Sequence, residues 1–180
     1  MTKKKEAKTR LFENDLTITG KHATYLKFLV NDAKIFKDYI DVYMNAAVLG
    51  FIYGKHEERD SDSSDRARIY ADAFVSHRND CIFIYRLIIL LEDRDMSIDE
   101  RLDCAFRLDA NPDKEAELQA NLDVFNSYVR GGIEYMYSIF TEHCTSRDDY
   151  IRTTYEVIRD FKDSIDGVSY EEKIKALLQQ

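Results

Sequence analysis

The chain is poor in the residues that break helices, with one proline and six glycines in 180 residues. Proline ends a helix by removing an amide donor and clashing with the preceding turn, and glycine weakens one through backbone entropy. Their scarcity argues against hairpin-rich folds and leaves long helices as the default. Tryptophan is absent, so the twelve tyrosines and ten phenylalanines must fill the gaps between helices. Cysteines number three, Cys81, Cys104 and Cys144. That odd count at wide spacing, with no positive-then-apolar leader, argues against a disulfide framework and fits a reducing cytoplasm. No apolar run reaches the roughly 20 residues that span a bilayer. Val42–Tyr53 is interrupted by Asn45 and Cys81–Leu91 by Arg86. The expectation is a cytoplasmic protein with no membrane segment.

What is present is enough for one core. At this length folding buries about 70% of the unfolded chain's surface, so neither disulfide nor metal is required. The net charge is −8, yet the first ten residues carry five bases (Lys3, Lys4, Lys5, Lys8, Arg10) against one acid, Glu6. Setting those five bases and one acid aside takes the charge from −8 to −12. A body so acidic repels phosphate backbones, which confines any nucleic-acid affinity to the basic tail or to a larger complex. Residues 1–15 read as a basic, disordered leader. Residues 16–180 read as a single helical domain, with a mobile charged loop at 55–65 (KHEERDSDSSD), which has no apolar residue.

The expected fold is all-α, a compact bundle of six to seven helices around a central apolar helix at about 81–91. Leu16–Thr19 is a short extended piece, and Gly20 leads into a first helix. A second helix over about 35–54 becomes apolar all round in its C-terminal half. Ala46, Gly50 and Gly54 lie four apart on one of its faces and mark a helix crossing, because glycine in a helix costs about 1 kcal/mol unless a close backbone approach compensates. Arg66–Glu92 reads as a long helical segment with a polar insert at 76–80. Ser97-Ile98-Asp99-Glu100 has the S-x-x-E spacing of a capping box, and Pro112 suits the start of a further helix. In that helix Leu118, Leu122, Phe125, Val129, Ile133, Met136 and Phe140 form one apolar stripe. Gly131 and Gly132 beside it either admit a neighbouring helix closely or break the helix, and close packing is the favoured reading. Ser146 opens a sixth helix, and Ser169-Tyr170-Glu171-Glu172 is a second capping box.

Tested for chemistry, the motifs fail on spacing. Thr19-Gly20-Lys21-His22 resembles the end of a phosphate loop, but that loop requires glycine where Asp15 stands and serine or threonine where His22 stands. The alternating oxygens of Asp60, Asp62 and Ser64 lack the glycine and bidentate acid of a calcium loop. His77 and Cys81 sit one turn apart and His143 adjoins Cys144, but no third ligand follows, so neither metal nor cofactor is expected. No histidine follows an arginine at the four-to-six-residue spacing of small helical nucleases.

Arg86 is the anomaly. It interrupts an apolar helix, and Ile82, Phe83, Ile89 and Leu90, its helical neighbours, offer no carboxylate, so a partner must come from another segment. The bland reading is a structural ion pair or a guanidinium that reaches the surface. The sharper one is that Arg86 lines a polar cleft with His77, Arg78 and Asp80. The expected function is that of a non-enzymatic interaction protein, an accessory or adaptor subunit of a larger bacterial assembly, such as a defence or nucleic-acid-processing system, with a protein partner or a second copy of itself. The alternatives are a small helical enzyme acting on nucleic acid or nucleotide, and a nucleic-acid binder acting through its basic tail.

Overall fold

The computed structural model describes residues 11–92, 95–142 and 144–166. The basic run before Leu11, His143 and the capping box at Ser169 lie outside them. Among the described residues there are seven α-helices and one small two-stranded sheet, so the fold is all-α as its composition implies. Strand β1 (Leu16–Thr19) pairs antiparallel with β2 (Arg66–Ile69), Leu16 opposite Ile69 and Thr19 opposite Arg66. Between them lie α1 (Lys21–Lys27), prolonged by a π turn to Asp32, and α2 (Tyr39–Ile52). After β2 come α3 (Ala71–Ser76), α4 (Arg78–Leu91), α5 (Ile98–Phe106), α6 (Glu115–Thr141) and α7 (Arg147–Asp166).

The segment 66–92 is therefore not one helical stretch. Its first four residues alternate, burying Ala67 and Ile69 and exposing Arg66 and Arg68, which is the two-residue period of a strand with one wet face. The polar insert 76–80 spans the break at His77, where α3 ends and α4 begins. The capping box at the start of α5 forms as its spacing implies: Ser97 Oγ accepts from Glu100 N, and Glu100 Oε2 accepts from Ser97 N at 2.8 Å. Pro112 opens a 3-10 turn that runs into α6.

The chain packs as two units, meeting in sequence after Ser138. In the first, α2 crosses α6 at backbone contact. A Cβ on Gly132 would sit 1.9 Å from the carbonyl oxygen of Ala46, and one on Gly50 2.1 Å from that of Tyr128. Gly131 meets the Lys55 carbonyl in the same way, and α6 runs unbroken through both glycines. Gly54 is not part of this crossing. It follows the end of α2 with φ +59° and nothing near its missing side chain, where its task is to take the left-handed conformation that reverses the chain.

Beside the crossing, Tyr43, Phe74, Tyr85 and Phe125 form an aromatic cluster around the ring of Phe12, whose centroid lies 5.7 Å from Phe74 and 6.0 Å from Phe125. Leu11 is 3% exposed. Leu11 and Phe12 thus belong to the packed chain, although the sequence reading places them in the leader, because the bases before them mask two large apolar side chains. Helix α4 buries one face, Cys81, Tyr85, Ile88 and Ile89. Its other face, with Phe83, Leu87 and Leu91, is exposed.

Residues 55–65 form an irregular connection fixed at several points. Glu57 N donates to Ser127 O at 3.0 Å, Gly20 N donates to Asp65 O at 2.9 Å, and Thr19 Oγ1 donates to Asp60 O at 2.9 Å. In the second unit Ser146 caps α7. Asp149, which accepts from the Ser146 hydroxyl and from the amides of Thr145 and Ser146, has its pKa held down at about 2. Phe140 meets Tyr150 edge-on at 6.4 Å.

Candidate functional site

The four residues singled out around α4 meet different neighbours. Arg86 Nη2 donates to Asp109 Oδ2 at 3.0 Å, and its guanidinium lies 5.4 Å from the centre of the Phe106 ring. Its partner comes from the 3-10 turn Leu108–Ala110 that follows α5. Arg78 turns to the N-terminal segment, where Nε donates to Leu11 O at 3.1 Å and Nη2 lies 3.4 Å from Glu13 Oε1. His77 borders a separate hollow with Tyr39, Arg68 and Asp72. Asp80 is exposed on the first turn of α4. Burial, with the Asp80 charge in support, pushes the neighbouring Cys81 thiol up to about 12, which keeps it protonated near neutral pH. No group of three or more metal-ligating side chains converges among the described residues.

Arg86 instead borders a groove of about 330 Å³ lined by Ile82, Phe83, Leu87, Leu90 and Phe106. The groove forms because α5 packs along α4 with its small residue Ala105 buried and turns Phe106 outward. Phe83 is 66% exposed and Phe106 45%. Phe83, Leu87 and Leu90 recur at the helical spacing of a core-facing stripe, yet they line an open groove, Phe83 and Leu87 exposed and Leu90 half-buried, with one half-buried ion pair beside them.

A second polar region was not visible in the sequence. Gly20, at φ +68°, turns the chain from β1 into α1, and the Asp60 carboxylate packs where its side chain would be, accepting from Lys21 N at 2.5 Å. An acid therefore holds the position where a phosphate loop would hold phosphate, which explains why the likeness at Thr19–His22 ends at the motif. That hydrogen bond is the first cause of the lowered Asp60 pKa. Lys21 Nζ lies 2.7 Å from Glu134 Oε2 on α6 and 3.8 Å from Glu57 Oε2. His22 is wholly buried, and neither ring nitrogen has a hydrogen-bond partner among the described residues. Burial first, then the Lys21 charge, lowers its pKa to about 4. Its 3.6 Å approach to Glu134 is thus no ion pair near neutral pH, because Lys21 already supplies the cation for that carboxylate. Around the corner, Arg59 and Arg130 line a larger polar cavity between β1 and α6. The signal available in sequence was Gly20 before two basic side chains, together with Arg130 directly before the glycine pair.

Two outcomes follow. Arg86→Met should lower unfolding stability by about 1–2 kcal/mol, since a half-buried pair falls between an exposed and a buried one, and Arg86→Met with Asp109→Leu should recover most of it. Urea titration measures this, and an Arg86→Met protein as stable as the wild type would contradict the structural role. For His22, the unfolded imidazole takes a proton near its ordinary 6.5 and the folded one only near 4. Its contribution is therefore complete above about pH 6.5 and is lost as pH falls toward 4, by about 3 kcal/mol in all. Stability against pH should show that slope in the wild type and lose it in His22→Gln. Equal slopes in both would refute the assignment.

Comparison of the chain with known protein families, with curated proteins and with solved structures finds no match.

Proposed function

We propose that the protein is a non-enzymatic interaction module, an accessory subunit whose α4–α5 groove receives an apolar helix of a protein partner. The observation that carries this reading is the groove in which exposed Phe83 and Leu87, with half-buried Leu90, line one wall and Phe106 the other. Burying one such side chain is worth about 1.5–3 kcal/mol, so leaving a row of them wet is costly for a chain with no use for it. Aromatic anchors in a helix-lined groove are how helical segments are recognised, with a few residues carrying most of the affinity.

Charge narrows the partner. From Arg78 to Asp109 the sequence holds eight acids against five bases, within a chain of net charge −8. A second copy of this chain would bring like charge to the contact, whereas a partner helix flanked by lysine or arginine would be steered toward it. The chemistry of the described interior points the same way. His22 is sealed from solvent and exchanges its proton far below neutrality, and Cys81 holds its proton far above it, so neither serves as a base or nucleophile near pH 7.

Purification from the native host tests the reading. The wild type should elute in a stable complex. Phe83→Glu with Leu87→Glu should elute alone at an unchanged melting midpoint, while Val75→Ser, an exposed apolar position on α3, should keep the partner. A wild-type chain eluting as a lone monomer, or a double variant that keeps its partner, would rule the proposal out.

A further inference from the structure

Away from the α4–α5 groove, one face of α6 is polar. Gln119, Asp123, Asn126 and Arg130 recur at steps of four, three and four, and so form a single stripe that looks across a cavity of about 490 Å³ to Thr17 on β1 and Arg59 on the 55–65 connection. Two arginines share this cavity in a chain whose net charge is −8. They oppose each other electrostatically, and Arg130 is half-buried, so bringing them together costs energy that only a nearby negative charge offsets.

The protein supplies part of that charge through Asp123, which lies toward one end of the stripe and accepts from Gln119 Nε2 at 3.0 Å, and part through Glu57, whose carboxylate is shared with Lys21. At the other end the donors are oriented but not consumed. Arg130 uses Nε to hold Glu57 O at 2.8 Å, which fixes the guanidinium and leaves its Nη groups without a partner among the described residues. Arg59 Nε reaches Thr19 Oγ1 at 3.5 Å, with the rest of its fork likewise unpaired. The buried Tyr43 hydroxyl donates to Asn126 Oδ1 at 2.9 Å, which sets the amide so that its Nδ2 donor is the group left over. Two guanidinium forks, one on α6 and one on the 55–65 connection, with an amide donor on α6, are the donor set for a tetrahedral oxyanion.

We infer that this cavity binds a phosphate monoester, with the phosphoryl oxygens held by Arg59, Arg130 and Asn126 and the hydroxyl groups of the ligand body turned toward Asp123. The volume exceeds what a bare phosphate needs and suits a sugar phosphate or a nucleoside monophosphate. The site lies apart from Phe83, Arg86 and Phe106, so it stands or falls separately from partner binding.

The test uses the full chain and ribose 5-phosphate, read through the arginine side-chain Nε resonances in a ¹⁵N NMR titration, with ribose as the neutral control. Ribose 5-phosphate should shift the Arg59 and Arg130 resonances saturably while ribose does not. Losing one charge-assisted hydrogen bond implies about tenfold weaker binding or more in Arg59→Gln, read at Arg130. Asn126→Asp keeps an acceptor for Tyr43 but replaces the donor with a negative charge, and should weaken binding at least as much. Neither substitution touches the glycines of the α2–α6 crossing, Asn126→Asp keeps the oxygen that accepts from Tyr43, and melting curves check that each variant is folded. No saturable shift, the same shift with ribose, or unchanged affinity in both folded variants would overturn the inference.

Discussion

The backbone crossing of α2 and α6 is the constraint from which the rest of the first unit follows. Helices normally pack 8–10 Å apart because side chains stand between them. Here the glycines at positions 50, 131 and 132 remove those side chains, and the carbonyls of Ala46, Tyr128 and Lys55 occupy the space. Three helix-weakening residues persist at this one place because each yields close contact in return. Ala46 and Ala47 are fully buried there, and Val129 and Ile133 bury the flanking turns of α6.

The same approach positions chemistry. Because Gly131 lets the chain after α2 lie directly on α6, the Lys55–Asp60 segment is brought against Arg130, and Lys21 bridges Glu57 to Glu134. Glu57 then reaches Lys21, Asp60 caps α1, and His22 is sealed beneath them. The polar cavity with its two arginines is a by-product of that geometry, on the side of α6 where the helix turns from apolar to polar. The α4–α5 groove arises differently. There the apolar residues of α4 outnumber those that one buried face can absorb, and α5 covers only part of the remainder, so Phe83 and Leu87 stay exposed beside the Arg86–Asp109 pair.

How much of this the sequence disclosed depends on how local each signal is. The apolar stripe of α6, the Ser97 capping box and the small-residue positions are periodic or contiguous, and they appear in the structure at the residues that suggested them, apart from Gly54. Strand β2 was hidden because four alternating residues before a helix look like the helix's first turn, and only its pairing with β1 separates the two. The role of Leu11 and Phe12 was masked by the basic run before them. Arg86 was recognisable as an anomaly, but Asp109 belongs to a turn beyond α5 that no helical spacing relates to it. The His22 and Arg130 region was the least legible, since its members come from α1, an irregular connection and α6, and only the folded chain assembles them.

The most direct test of the crossing is the thermal unfolding of Gly132→Ala beside Gly54→Ala. Helix propensity alone makes Gly132→Ala stabilising by about 1 kcal/mol. Backbone contact with Ala46 reverses that sign, because a methyl group cannot share the space with a carbonyl that has no freedom to move, and overpacking of this kind costs about 3 kcal/mol or more. Gly54→Ala, strained only by its positive φ, should cost about 1 kcal/mol. A Gly132→Ala protein that melts well below Gly54→Ala supports the account, and one that melts at or above the wild type contradicts it.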